Sequence, residues 1–284
     1  MARTLILSDL HLGLPEVPCG RPARTPDSLA PLLNNCDHLV LNGDIADVHN
    51  VHRRENGMAL LDQLLGMIGR AGILLTRVNG NHDFDASQKN FVDLYGGVVF
   101  VTHGHAFGAS MLPWTPAHRV VRETLRAARA RNDKTLEGDL AAAGEAAMAQ
   151  WSEARSHNEP TALISIGLNP WRVARVLAWW RTFPREAARY AERFRPEAQI
   201  VVCGHSHRAG IWSIASAQSA APKRVLNTGG FTFPSSPHAV VIDDDARELL
   251  VQMRAIRARR GRYELAAESP VSCWRIQRPA ASSR

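Results

Sequence analysis

The sequence predicts an α/β fold with a helical segment inserted into it, and three observations carry that expectation. Short apolar runs of strand length alternate with a helix-spaced stripe in the N-terminal part of the chain. Several of those runs end in polar residues rich in Asp, His, Asn and Gly. Between residues 110 and 196 the short runs give way to arginine- and alanine-rich stretches at helical spacing.

Residues 4–8 form the first apolar run. Pro15, Pro18, Pro22, Pro26 and Pro31 then bar any long helix. Residues 38–41 form a second run, ending in Asn42-Gly43-Asp44. Met58, Leu61, Leu64, Leu65 and Ile68 fall on one helix face. Residues 73–78 form a third run, ending in Asn79-Gly80-Asn81-His82-Asp83. Phe91 and Leu94 suggest a short helix. Residues 98–102 form a fourth run, closed by His103-Gly104-His105. Past the inserted segment, residues 198–203 are strand-like and end in Gly204-His205-Ser206-His207. Further strand candidates lie at 211–214, 224–226 and 239–242, with 248–253 pairing beyond them. From Arg254 the chain reads as an arginine-rich, irregular tail with one strand at most. The resulting division is a core of residues 1–109 and 197–253, a helical insertion at 110–196 and a basic extension at 254–284.

Inside the insertion, Val120, Val121, Leu125 and Ala128 share one helix face, and residues 140–151 are rich in alanine. Val173, Val176, Leu177 and Trp180 mark another face, continued past Pro184 by Ala187, Tyr190 and Phe194. Pro184 is expected to kink or restart that helix, because it has no N–H to donate.

The 284 residues are 45% hydrophobic and 21% charged, a balance that supports a packed core and excludes wholesale disorder. Lys and Arg outnumber Asp and Glu, 34 to 27, for a net charge of +7. That surplus suits an anionic ligand without choosing among phosphate esters, nucleic acid and a membrane surface. Cys19, Cys36, Cys203 and Cys273 form no C-x-x-C pair and are expected to be reduced thiols of a cytoplasmic protein. The first apolar run is broken at once by Ser8, Asp9 and His11, unlike a secretory leader. No stretch reaches the roughly 20 apolar residues of a spanning helix.

In α/β sheets the loops beyond the strand ends gather on one edge, so chain-distant polar groups can converge there. Here they would supply carboxylates, an amide and several imidazoles. This oxygen-and-nitrogen set suits Mn, Fe or Zn ions. Singly, each motif is weak. In order they read Asp9-Leu10-His11, Gly43-Asp44-Ile45-Ala46-Asp47, Gly80-Asn81-His82-Asp83, His103-Gly104-His105 and Gly204-His205-Ser206-His207.

This series resembles the calcineurin-like metallophosphoesterase superfamily, whose motifs run D-x-H, G-D-x-x-D, G-N-H-[DE], H and G-H-x-H. The likeness covers about residues 3–243 apart from the insertion. It implies a two-sheet sandwich flanked by helices, and two divalent ions, with Mn favoured over Fe or Zn. It also implies a hydroxide shared by the ions as the attacking group on a phosphomonoester, phosphodiester or pyrophosphate. By the same resemblance Asp9, His11 and His207 hold one ion, Asn81, His103 and His205 hold the other, and Asp44 bridges them. His82 would protonate the leaving group, with Asp83 orienting it. For Asp47, a hydrogen bond to a ligand and a direct role stand equally open. His105 either meets substrate or is exposed. Asn227 either lines the site or belongs to an ordinary turn.

From Trp171 to Arg195 there are seven arginines against two glutamates. Arg181, Arg185, Arg189 and Arg193 recur every fourth residue, and Trp171, Trp179 and Trp180 add amphipathic rings. Three readings follow: a solvated basic face, a peripheral contact at the inner face of a membrane or a cap for an anionic amphiphile, and a nucleic-acid groove. The position of the insertion is similar to that in UDP-2,3-diacylglucosamine hydrolases, which implies a UDP-linked lipid as substrate. The sequence departs from their usual pattern at His82, where Arg is typical, and at His105, where Asp is typical. A nuclease and a non-catalytic scaffold on the same fold are the competing classes.

Overall fold

The structure is a computed structural model that describes residues 1–14, 21–109, 111, 113, 115, 117–154, 169–216, 218–219 and 221–277. Pro15, Pro18 and Cys19, and residues 278–284 of the expected tail, lie outside the described residues. The apolar runs become strands because alternate side chains find a buried layer on each side. In β1 (Ala2–Leu7), Leu5 and Leu7 face one core while Ile6 faces another. In β2 (His38–Asn42), Leu39 and Leu41 take the first core and Val40 the second.

Two sheets result. The first has the order β11-β10-β9-β1-β2-β3, with β12 also paired to β10. Here β3 is Leu74–Val78, β9 is His238–Asp244, β10 is Glu248–Arg259, β11 is Arg262–Leu265 and β12 is Ser272–Gln277. The second has the order β4-β5-β6-β8-β7, from Phe91–Leu94, Val99–Thr102, Ile200–Cys203, Lys223–Asn227 and Gly210–Ile214. Ile6, Val40, Val99, Val101, Ile200 and Val202 pack between the sheets. The outer face of the first sheet is covered by α1 (Pro26–Leu29) and α2 (Arg54–Arg70), whose Leu61, Leu64 and Ile68 are buried there. The outer face of the second is covered by α3 (His118–Arg131), α4 (Leu136–Ala154) and α5 (Pro170–Phe194). The expected two-sheet sandwich with flanking helices is therefore the observed architecture, and the helical insertion forms its fourth layer.

Val121, Leu125 and Ala128 of α3 meet Ala142, Ala143 and Ala146 of α4, where the small side chains let the helices approach closely. The Asn169 side chain caps α5 by accepting from the Trp171 and Arg172 amides, and Pro170 occupies the first turn. The helix runs through Pro184 without a break, against the expected restart. Its deep face is Trp179, Phe183, Ala187, Ala188, Tyr190 and Ala191, rather than the Val173–Leu177 stripe. Leu177 is exposed, as are Arg181, Arg185, Arg189 and Arg193.

Two further expectations are corrected. Phe91–Leu94 is a strand, not a helix: it pairs antiparallel with β5, placing Phe91 beneath the insertion and Val92 between the sheets. Four residues are too few to repay helix nucleation without added support. The tail from Arg254 is not irregular either. β10 crosses that boundary and continues to Arg259, flanked by β12 along its first half and β11 along its second. Tyr263 of β11 is buried and its hydroxyl donates to the Pro22 carbonyl at 2.8 Å. Residues 254–277 thus belong to the core fold. No helix among the described residues is long and apolar enough to cross a membrane.

Candidate metal centre

β1, β2 and β3 run parallel, as do β5, β6 and β8, so their carboxyl ends bring the motif loops of both sheets together. β1 delivers Asp9 and His11, β2 delivers Asp44 and Asp47, and β3 delivers Asn81 and His82. β5 delivers His103, and β6 delivers His205 and His207. Asp9, His11, Asp44, Asn81, His103 and His205 are all buried, with His207 at the rim.

The loops are strained where they turn. Asp9, His11, Asp44, His205 and His207 all have φ between 48 and 62°. Non-glycine residues adopt this left-handed region at a cost of roughly 1–3 kcal/mol each, and such strain concentrates at functional sites. Backbone bonds from Asp9 N to Gly43 O (3.1 Å) and from His11 N to Asp44 O (3.0 Å) hold two of these turns. Glycine is required where the loops close on the carboxylates. A Cβ on Gly80 would collide with Asp44 Oδ1, and one on Gly204 with Asp9 Oδ2 and Ser8 Oγ. Gly204→Ala is therefore expected to lose metal affinity and roughly 1–3 kcal/mol of stability, as overpacked sites do. Thermal unfolding of the chelator-treated variant checks the second part, and unchanged unfolding would contradict it.

Two donor sets share Asp44. Asp9, His11, Asp44 and His207 present ligand atoms within 4.8 Å of one another, and so do Asp44, His103 and His205. Asn81 joins the second set, its Oδ1 lying 2.8 Å from His205 Nδ1. Each imidazole is fixed through one ring nitrogen so that the other faces the centre. His11 Nδ1 donates to Asp47 Oδ1 (3.1 Å), His103 Nδ1 to Asn42 O (2.9 Å) and His205 Nε2 to Met111 O (2.8 Å). His207 Nδ1 meets Thr232 Oγ1 (3.0 Å). Outer partners of this kind orient metal-binding histidines. Asp9 is gripped by Ser8 Oγ, which meets Thr228 Oγ1 at 2.6 Å.

The donors fit divalent ions. His103 Nε2 is buried without a hydrogen-bond partner, 3.2 Å from Asp44 Oδ2. His205 spends its proton on Met111, so its Nδ1 lone pair confronts the Asn81 side-chain oxygen Oδ1. A cation between two such acceptors relieves both. Hard oxygen and imidazole nitrogen donors suit Mn, Fe or Zn.

Electrostatics follow the same division. Burial alone would raise the Asp9 and Asp44 carboxyls, but the imidazoles around them, His103 foremost, hold both below the usual range. Burial opposes the charge on His103, yet Asp44 and Asp9 push it up to about 10. Against the same opposition, Asp44 and Asp47 raise His82 to about 9. Burial, helped by the His103 charge, lowers His205 to about 3 and holds His105 well below the ordinary value. These shifts predict the pH response of the metal-free protein. Above pH 6.5 the folded state keeps protons on His82 and His103 that the unfolded chain releases. Stability therefore falls as pH rises through about 9–10. Below pH 6.5 the unfolded chain protonates His105 and His205 while the folded state does not, so stability also falls towards acid. Thermal unfolding in chelator is expected to peak near pH 6.5, the ordinary histidine value. A maximum at pH 9 would contradict the assignment.

The geometry corrects one expectation and narrows the alternatives left open at Asp47, His105 and Asn227. Asp83 does not orient the His82 ring: its carboxylate accepts from the Gly80, Asp44 and Ile45 amides at 2.8–2.9 Å and clasps two motif loops together. Asp47 orients it instead, with Oδ1 2.6 Å from His82 Nδ1, while also holding His11. His105 is not exposed; it is buried near His103 and His205, with ring centroids 5.6 and 6.3 Å away. Asn227 is a brace: its amide donates to Gly204 O (2.6 Å) and Ser206 Oγ (3.0 Å), and its oxygen accepts from Gly229 N (2.9 Å). Sequence reasoning also missed Met111, Thr232, Trp151 and Trp180. Trp151 Nε1 donates to Asn81 O (2.9 Å) and Trp180 Nε1 to Ser206 O (3.0 Å). No motif spacing marks any of these four residues.

Residues 3–246 match the family model of the calcineurin-like phosphoesterase superfamily domain. The chain belongs to this superfamily. A comparison with curated proteins gave no match. Among solved structures, Vps29 from Chaetomium thermophilum is 14% identical, with 98% of each chain covered and a TM-score of 0.43. Zinc-complexed Vps29 from Entamoeba histolytica is 11% identical, covering 98% of this chain and 99% of that one, with a TM-score of 0.41. A purple acid phosphatase from yellow lupin is 13% identical, covering 98% of this chain and 54% of its own, with a TM-score of 0.42.

Proposed function

We propose that this chain is a two-metal phosphoester hydrolase. The observation that carries the reading is the completeness of the two donor sets around Asp44, each imidazole turned inward by a partner on its other nitrogen. Two divalent ions, with manganese favoured, would polarise a phosphoryl group and lower the pKa of bound water. Asp44 would hold both ions, with Asp9, His11 and His207 holding one and Asn81, His103 and His205 the other. His82 sits at the rim with Nδ1 committed to Asp47, which leaves Nε2 for a leaving-group oxygen.

The substrate is a phosphomonoester, phosphodiester or pyrophosphate, with a UDP-linked lipid the most specific candidate. Its support is the insertion, whose Trp171 is 82% and Leu177 51% exposed, beside the exposed arginines of α5. An exposed apolar and basic helix suits an anionic amphiphile or peripheral contact with a membrane. The test is a manganese-loaded screen across p-nitrophenyl phosphate, bis(p-nitrophenyl) phosphate, a UDP-lipid and a single-stranded oligonucleotide, repeated with Fe and Zn. Cleavage of none of the first three sinks the proposal. Cleavage of the oligonucleotide alone turns it towards a nuclease. Co-sedimentation with anionic vesicles at low salt checks the membrane contact.

A further inference from the structure

The two donor sets differ in what holds them. The partners that orient the side chains of the first set come from the sandwich itself; the insertion touches that set at the backbone, where the Trp180 indole donates to the carbonyl of Ser206 ahead of His207. Asp47 holds His11, Thr232 holds His207, Ser8 grips Asp9, and Ser235 Oγ donates to the His207 carbonyl. The second set is held differently. His205 donates its Nε2 proton to the carbonyl of Met111 in the insertion. Asn81 has its carbonyl gripped by the indole of Trp151 on α4. The His205 ring is further walled by Trp179 and Phe183 of α5, edge-on at 5.8 Å and tilted at 6.4 Å. His103 takes its outer partner, the Asn42 carbonyl, from the sandwich.

We infer that the helical insertion is a structural part of the second metal site, and that Trp151 is a positioning residue for the ion held by Asn81, His103 and His205. This rests on the two-metal reading above and adds an asymmetry to it: the ligand side chains of one ion are oriented from the sandwich, whereas the ligands of the other, His205 and Asn81, are themselves gripped by the insertion. The indole acts through backbone. Asn81 follows Gly80, whose Cα leaves no room beside Asp44, so the segment bearing the amide ligand has little freedom on its Asp44 side. On its other side the Trp151 N–H fixes the Asn81 carbonyl. The Trp151 ring also meets His82 edge-on at 5.0 Å, so the same side chain spans the second metal motif and the candidate proton donor. The chemistry of the partner is simple: an N–H donor on a carbonyl, absent from phenylalanine and otherwise replaceable in shape.

The experiment measures Mn binding by electron paramagnetic resonance of the free ion, in the full-length protein. Wild type is expected to bind two equivalents; one equivalent would refute the two-metal reading and this inference with it. Trp151→Phe is expected to weaken one of the two equivalents by about 10-fold or more, the usual cost of removing an outer partner of a metal ligand. The loss is assigned by background. In His207→Ala, where the first set is broken, Trp151→Phe should weaken the remaining ion by the same factor. In Asn81→Ala, where the second set is broken, it should change nothing. Thr232→Val should show the reverse pattern, acting on the ion that survives in Asn81→Ala. Equal weakening of both ions by Trp151→Phe, or no weakening at all, overturns the inference while leaving the two-metal reading intact. Thermal unfolding in chelator identifies misfolding. If Trp151→Phe misfolds, Trp151→His, which keeps an N–H donor, must restore the second equivalent where Trp151→Leu does not.

Discussion

Asp44→Asn is expected to leave the protein with one bound divalent ion and almost no phosphoesterase activity. Asp44 is fully buried, with Oδ2 3.2 Å from His103 Nε2 and 3.8 Å from His11 Nε2, so it faces both donor sets. Two dications about 3.5–4 Å apart repel by roughly 15–20 kcal/mol even at an effective dielectric near 20. A charged carboxylate between them offsets that repulsion; a neutral amide of the same shape cannot. The surroundings already hold Asp44 ionised, since the neighbouring imidazoles keep its carboxyl well below the usual range despite burial. The loss in rate should exceed the roughly 10–100-fold cost of an outer partner and reach the order of 10³-fold. Metal analysis and turnover of bis(p-nitrophenyl) phosphate check both parts. Two bound equivalents with a rate within tenfold of wild type would remove Asp44 from the bridging role. Because the substitution is isosteric, unfolding in chelator should show an intact fold.

The sandwich was legible wherever strand faces alternate cleanly and wherever a polar motif closes a strand. Leu5, Ile6 and Leu7 split between two cores, as a doubly buried parallel strand requires, and the motif residues after β1, β2, β3, β5 and β6 do converge. Legibility failed where local pattern and tertiary role diverge. β10 continues past Met253, but half-buried Arg254 and exposed Arg257 and Arg259 disguise a strand as a basic tail. Phe91 and Leu94 fit a helical spacing, yet the segment exists as an edge strand because β5 offers it a ladder. At the site, the inward-facing ligands follow from motif order, whereas their outer partners do not. Asp47 could be weighed because it lies within a motif. Thr232, Met111 and Trp151 are joined to their ligands only by the folded path of the chain, at separations of 25, 94 and 70 residues. Asp83 shows the opposite failure. Its place beside His82 suggested a partnership, but its carboxylate turns back onto three backbone amides, and the ring is held from another loop.

His82→Gln should separate proton donation from phosphate binding. A positioned acid contributes roughly 10²–10⁴-fold when the leaving oxygen needs a proton. A substrate with an alkyl leaving group is therefore expected to lose that much in kcat, whereas a p-nitrophenyl ester, whose oxyanion departs without protonation, should lose little. The geometry makes His82 the residue for this comparison. It is the rim imidazole whose Nδ1 is fixed by a buried carboxylate, at 2.6 Å from Asp47 Oδ1, and its backbone amide donates to Asp44 Oδ1 at 2.8 Å. That amide survives substitution, so both ions should still bind. Asp47→Asn gives the companion measurement. It should lower the same alkyl-ester rate by a smaller factor, because the ring stays but loses its orienting charge, and it should weaken the first ion through His11 as well. If His82→Gln slows both leaving groups equally, the histidine binds or positions the phosphoryl group instead of delivering a proton. The leaving-group oxygen would then take its proton from solvent at the rim, and Asp47 would matter only through His11.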